Sequence, residues 1–332
     1  MTPAAALAER WYRPRLTALT ASLLPLSWVY GAIVRARRAA YARGWLASRR
    51  VTRPVVVIGN LTAGGGGKTP ATVALAHALA ARGERPGIVS RGYGGTARGP
   101  RAVARDDDPA QTGDEALILA ASGYPVVIGR DRAAAAEALA ARHPECTVIL
   151  ADDGLQHLAL ARDVEIVVVD AGRGFGNGRL LPAGPLREPL SRLAAVDAIV
   201  RLGAGVAASE DGRYTGVIHR PLAWRRVADD AIADDVPARW RGRRVAALAG
   251  IANPARFFAL LGEQGIVATT RAFDDHHAYV AGDLPGDAEV VLMTQKDAVK
   301  CRTFADARCF YLPIAAELDA RLVDRVRALI GN

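Results

Sequence analysis

The chain has 332 residues, 51% of them hydrophobic, enough to bury a sizeable core in one large or two moderate domains. Its formal charge of +9 invites a nucleic-acid partner, but 40 of its 43 cationic side chains are arginines and no aromatic-interleaved basic run occurs. Nucleic acid is therefore set aside, and an anionic lipid or a phosphorylated substrate accounts for the charge at least as well. Cys146, Cys301 and Cys309 are odd in number and lack CxxC spacing, which argues against a disulfide or zinc framework and fits a reducing compartment.

From Leu16 to Val34 the chain carries no charge, and arginines flank it on both sides: Arg10, Arg13 and Arg15, then Arg35, Arg37 and Arg38. Such a segment barely spans a hydrocarbon core of about 30 Å, and Pro25 with several Thr and Ser lowers its hydrophobicity. An interfacial or single-span anchor leads the readings, ahead of a buried core helix and a cleaved signal. An anchor would place a nucleotide-binding part in the cytosol, where ATP is.

A β-branched strand, Val55 to Ile58, then ends at Gly59 and runs through Thr62, Ala63, Gly64, Gly65, Gly66 and Gly67 into Lys68-Thr69. This is a variant phosphate-binding loop, with Thr62 where the general G-x-x-x-x-G-K-[ST] pattern has glycine. Its backbone N–H groups would cradle a polyphosphate, Lys68 would meet the β/γ-phosphates and the Thr69 hydroxyl would ligate Mg²⁺. A helix is predicted over residues 69–81, strands over 87–90, 124–129, 147–150 and 164–169, and an alanine-rich helix over 130–142. The pattern predicts an α/β fold: a P-loop NTPase-like, mainly parallel sheet with helices on both faces and ligands at the strands' C-terminal ends. Residues 172–189 are too irregular for a helix and too long for a plain connection, so Arg173, Arg179, Arg187 and Glu188 read as a substrate-facing loop. A linker is placed over residues 211–225, before a second alternating block with strands over 244–250, 267–272, 290–294 and 310–312 and helices over 254–261 and 315–330. The division is thus residues 1–40 as a membrane-associated helix, 41–215 as the P-loop domain, and 216–332 as a smaller C-terminal α/β domain.

Phosphoryl transfer needs held phosphates, a metal site and an acceptor for the proton of the attacking hydroxyl. Asp152 and Asp153 follow the apolar run at 148–150, where a second carboxylate would reach Mg²⁺ directly or through water. Asp114 stands before an apolar helical run, and His276 and His277 follow a predicted strand of the second block; from spacing alone none of them is nameable as a base. His157 reads as structural or supporting. TQKD at residues 294–297 approaches the guanine-reading [NT]-K-x-D, but its lysine sits one place late and guanine specificity is discounted.

In order, GNLTAGGGGKTP (Gly59 to Pro70), SRGYGG (Ser90 to Gly95), GDEAL (Gly113 to Leu117), DDGLQH (Asp152 to His157), RGFGNGRLLPAGPLREP (Arg173 to Pro189), AGIANPARFF (Ala249 to Phe258), DDHHAY (Asp274 to Tyr279) and TQKDAVK (Thr294 to Lys300) make the chain resemble the tetraacyldisaccharide 4′-kinase family. That family's phosphate loop similarly has Thr at the position of Thr62. The resemblance implies transfer of the γ-phosphoryl group of ATP, with Mg²⁺, to the 4′-hydroxyl of a membrane-embedded tetraacyl glucosamine disaccharide 1-phosphate, at the cytoplasmic face of the bacterial inner membrane. It implies Asp114 as catalytic base with His276 as its dyad partner, Lys68 and Thr69 as the phosphate-loop pair, Asp152 and Asp153 as metal-associated carboxylates, and the N-terminal helix as the interfacial contact with lipid. Gln295 departs from a Glu in the family pattern. The arginines of residues 173–187 are expected partners for the substrate's 1-phosphate, a reading made from their chemistry and not from the family.

Overall fold

In the computed structural model, which describes residues 3–13, 15–64, 67–203, 208–233 and 239–331, the chain opens with three helices: α1 (Pro3–Arg10), α2 (Ala18–Ser22) and α3 (Leu24–Ala42). Thr17 caps α2 reciprocally with Thr20, and Pro25 sits in the first turn of α3, where its missing N–H costs nothing. The uncharged segment is therefore divided between two helices, and α3 continues through its arginines. No helix among the described residues is long and apolar enough to cross a membrane; α3 has 19 residues but takes in Arg35, Arg37 and Arg38. The core-helix reading fails on burial: of α3 only Ser27 and Gly31 are buried, while Leu26, Val29 and Ile33, at i, i+3 and i+7, are 58–61% exposed.

The first sheet begins with β1 (Val55–Gly59), α4 (Lys68–Ala80), β2 (Pro86–Ser90), β3 (Arg101–Ala102), α5 (Pro109–Thr112), α6 (Asp114–Ala120), β4 (Val126–Ile128), α7 (Arg132–Arg142), β5 (Val148–Asp152), β6 (Val164–Asp170), β7 (Ala198–Leu202) and β8 (Tyr214–Pro221). With β14 (Ile314–Glu317) from the end of the chain, its strand order is β14-β8-β7-β6-β1-β5-β2-β4-β3, parallel from β8 to β4 and closed by an antiparallel strand at each edge. Alternate residues of β1 feed two cores. Val56 and Ile58 pack with Leu75, Leu79 and Val326 on one face, and Val55 and Val57 pack with Leu139, Ile149 and Leu155 on the other. Burial on both faces is why these parallel strands read as unbroken apolar runs.

A second sheet holds β9 (Arg225–Arg226), β10 (Val245–Ala249), β11 (Thr269–Ala272), β12 (Val290–Thr294) and β13 (Cys309–Leu312), in the order β11-β10-β12-β13-β9, with helices α8 (Pro254–Glu263) and α9 (Gln295–Cys301). The chain then returns to the first sheet through β14 (Ile314–Glu317) and α10 (Ala320–Ile330), whose Leu322, Val323 and Val326 enter its core. Two expectations change here. Residues 214–221 of the expected linker are strand β8, and the start of the expected closing helix is the edge strand β14, so sheet membership does not follow a single cut at 215/216. Cys146, Cys301 and Cys309 are free and buried.

Candidate active site

β1 ends against the loop that leads into α4. Gly67 is the N-cap of α4 at φ 70°, and a Cβ there would run into the Leu202 side chain and lie 3.2 Å from the His219 ring, so only glycine fits without displacement. Asn60 Nδ2 donates to the Gly64 carbonyl at 3.2 Å. Ala63 N–H donates to Pro185 O at 2.7 Å, and Thr62 bridges to Leu186. Thr62, at the position of the missing glycine, thus ties the phosphate loop to the Arg173–Pro189 segment. Gly65 and Gly66 lie outside the described residues.

Lys68 and Thr69 open α4, where unpaired N–H groups and the helix dipole favour anions. Thr69 Oγ1 donates to Asp152 Oδ2 at 3.0 Å and Thr72 Oγ1 to Asp152 Oδ1 at 2.9 Å. Asp152 is 1% exposed; burial, with the nearby Glu115 charge, pushes its carboxyl up to about 6. Asp153, at φ 49°, behaves oppositely. Burial would raise it, but Lys68 at 3.5 Å and Arg187 at 3.3 Å outweigh that and hold it below the usual carboxylate range. Behind it Arg132, 4% exposed, points Nη2 at the Asp153 carbonyl. Burial lowers Arg132 to about 10, still a cation at neutral pH.

Among the described residues no three His, Cys, Asp or Glu side chains form a cage for a metal. Mg²⁺ ordinarily binds through one or two carboxylates plus nucleotide phosphates and waters. A buried hydroxyl and carboxylate in mutual contact, with a second acid beside them, fit that requirement.

Asp114 begins α6 and is 5% exposed. Its position depends on Gly113, at φ 85°, where a Cβ would strike the Tyr93 carbonyl. The SRGYGG loop and the GDEAL turn therefore pack backbone to backbone. Across the gap between the two sheets, His276 Nδ1 lies 3.2 and 3.1 Å from the two Asp114 oxygens. The Tyr93 ring lies 4.8 Å from the His276 ring. Burial would raise Asp114, but the His276 hydrogen bond and the Lys296 and Lys300 charges outweigh it and keep the carboxyl below its ordinary value.

Asp114 and His276, 162 residues apart, are thus together, as are Lys68, Thr69, Asp152 and Asp153. His277 instead pairs with Asp283 at 3.0 Å. His157 accepts from the Arg132 N–H at 3.2 Å, a supporting place at the start of α7, and burial drives it to about 4, so it is neutral. Arg187, an expected partner of the 1-phosphate, is held by Asp153 and Gln156 beside the phosphate loop. Arg173 donates to Ala252 O and lies over the Tyr12 ring. Arg179 shares a cavity of about 240 Å³ with Arg35, Trp28 and Leu180 beneath α3. Sequence reasoning missed Arg132, Glu115, Lys296 and Lys300. A signal existed for the lysines: their i, i+4 spacing, which puts both on one side of any helix formed there.

Fold and site together define a phosphate-loop kinase. The family profile described as tetraacyldisaccharide-1-P 4′-kinase (LpxK) matches residues 19–331, and the chain belongs to that family. A tetraacyldisaccharide 4′-kinase of Chromobacterium violaceum is 53% identical over 329 residues, covering 96% of each chain. That of Alkalilimnicola ehrlichii is 48% identical over 314 residues, covering 94% of this chain and 92% of its own. The crystal structure of LpxK from Aquifex aeolicus in complex with ATP superposes with a TM-score of 0.79 at 29% identity, covering 94% of this chain and 99% of that one.

Proposed function

We propose that this chain transfers the γ-phosphoryl group of ATP to the 4′-hydroxyl of a tetraacylated glucosamine disaccharide 1-phosphate, with Asp114 accepting the hydroxyl proton. The observation that carries this reading is the meeting of Asp114, at the start of α6, with His276, in the loop after β11 of the second sheet, on a scaffold where Thr69 of α4 already joins Asp152. Lys68 and the glycine loop would hold the phosphates, with Arg132 and Arg187 adding positive charge around Asp153. Thr69 and Asp152, with Asp153 alongside, would hold Mg²⁺, which when bound neutralises phosphate charge. Asp114 is ionised at neutral pH because cations surround it, and His276 orients it.

An acylated substrate stays in the bilayer, so the enzyme must work at the surface. The exposed Leu26, Trp28, Val29 and Ile33 of α3, with Arg35 and Arg37 on the same helix, suit an interfacial helix at the cytoplasmic face of the inner membrane. Purified protein incubated with γ-labelled ATP, Mg²⁺ and the tetraacyl disaccharide 1-phosphate in detergent tests the whole reading. Label in the lipid is the expected result; label released only as free phosphate would make the protein an ATPase and end it.

A further inference from the structure

The TQKDAVK segment forms α9, and two of its lysines, one helical turn apart, face Asp114. Lys296 Nζ is 3.2 Å from His276 Nε2, 2.9 Å from Asp275, 3.5 Å from Glu115 and 3.9 Å from Asp114 Oδ2. Lys300 Nζ is 4.0 Å from the same Asp114 oxygen and 3.1 Å from Asp297, which is fully buried and accepts from Gly250 N–H and the Thr294 hydroxyl.

An ammonium group only donates. A Lys296 hydrogen bond to His276 Nε2 therefore requires the ring lone pair at Nε2 and the ring proton at Nδ1, where it is donated to Asp114. We infer that Lys296 is a positioning residue: it selects the Nδ1–H tautomer of His276, and with Lys300 it keeps the buried Asp114 carboxylate ionised so that it is ready to take a proton. The groups facing this pair are Glu115 from its own helix, Asp275 from the loop after β11, Asp297 from α9 beneath Lys300, and the Tyr93 ring over His276. Glu115 and Asp275 draw Lys296 as well, and burial opposes its charge; the three carboxylates prevail and hold it protonated above its ordinary value. Asp114 and its two cations lie on opposite sides of the inter-sheet gap, so the base is complete only when the second sheet's elements are in place.

The inference rests on the kinase reading for its kinetic arm alone. Imidazole ¹⁵N spectra of the ATP-free enzyme, with the His276 signal assigned through His276→Gln, report the tautomer without turnover. In the wild type Nδ1 should carry the proton. In Lys296→Met the Nε2-protonated form should appear, and the acidic limb of kcat/KM should move to higher pH as Asp114 loses a cation. Lys296→Arg, keeping the charge, should leave the limb near its wild-type position. A Lys296→Met enzyme with an unchanged His276 tautomer and the same loss of rate at every pH would overturn the proposal. Should that variant not fold, Lys296→Leu, which likewise offers no donor, carries the same comparison. A wild type with the Nδ1–H tautomer but no lipid phosphorylation would instead remove the kinase reading and leave this one standing.

Discussion

Asp152 gives the most direct test of the site, because its burial makes function and stability pull in opposite directions. Its carboxyl is raised from an ordinary 3.8 to about 6, so the folded chain prefers it neutral. That preference stabilises the fold fully below the unfolded value and is lost as pH rises through about 6. At about 1.4 kcal/mol per unit, holding an ionised Asp152 without metal costs about 3 kcal/mol at pH 8 and about half of that at pH 5. Asp152→Asn removes the titration. It also disturbs the hydroxyl bonds from Thr69 and Thr72, at about 1 kcal/mol each, but that loss is the same at both pH values. The gap between variant and wild type, measured by urea unfolding in EDTA, should therefore move in favour of the variant by about 1–2 kcal/mol between pH 5 and pH 8. In activity the variant should be nearly dead, and Mg-ATP should stabilise the wild type but not the variant. A gap that stays constant across that pH range would show that Asp152 carries no such burden, and with it would go the argument that the site is strained toward a cation.

Asp114→Asn and His276→Ala should each lower kcat by ~10²–10⁴-fold with little change in KM for ATP; a strongly raised ATP KM at normal turnover would make them binding residues. Gly113→Ala forces a side chain into left-handed backbone against the Tyr93 carbonyl. It should cost about 1–3 kcal/mol of stability and lower kcat through displacement of Asp114, both read in one preparation by thermal unfolding and lipid phosphorylation. The double change Val29→Asp/Ile33→Asp, at exposed positions, should leave the melting temperature within about a degree and abolish sedimentation with anionic vesicles. Retained vesicle binding would mean that α3 is not the lipid contact.

How much of this was legible depends on what each residue faces. β1, β5 and β12 are apolar runs because both of their faces are covered, so periodicity and length identified them. β8 was missed because its burial is patchy and it carries Gly216, His219 and Arg220; it is covered from outside only by β14, whose Ile-Ala-Ala-Glu composition reads as helix. Within the site, the phosphate loop and the acids after β5 are local patterns and were found from residue types alone. The Asp114–His276 meeting is a tertiary fact, and without the family resemblance no spacing rule would have paired those two. The place of Arg187 was hidden for a related reason. Its chemistry was legible, but Thr62 pairing with Leu186 swings that segment over Asp153, and a two-residue bridge leaves no trace in composition.

The cation usage of the chain sharpens this point. In a sequence that writes 40 of 43 positive charges as arginine, the three lysines all stand at the site: Lys68 against Asp153, Lys296 against His276, Lys300 against Asp114 and Asp297. An arginine presents a planar fork suited to two oxygens at once, whereas an ammonium is a compact charge that serves several acceptors from one point. Each of these sites asks for the second kind. Lys68 must stay close to the helix start, Lys296 meets three carboxylates and a ring nitrogen, and Lys300 lies buried beside Asp297 with the Tyr279 ring 4.9 Å away. The composition that first suggested a diffuse basic surface thus separates into two populations: arginines spread over the whole fold, Arg132 and Arg187 at the site among them, and lysines found only beside the candidate site.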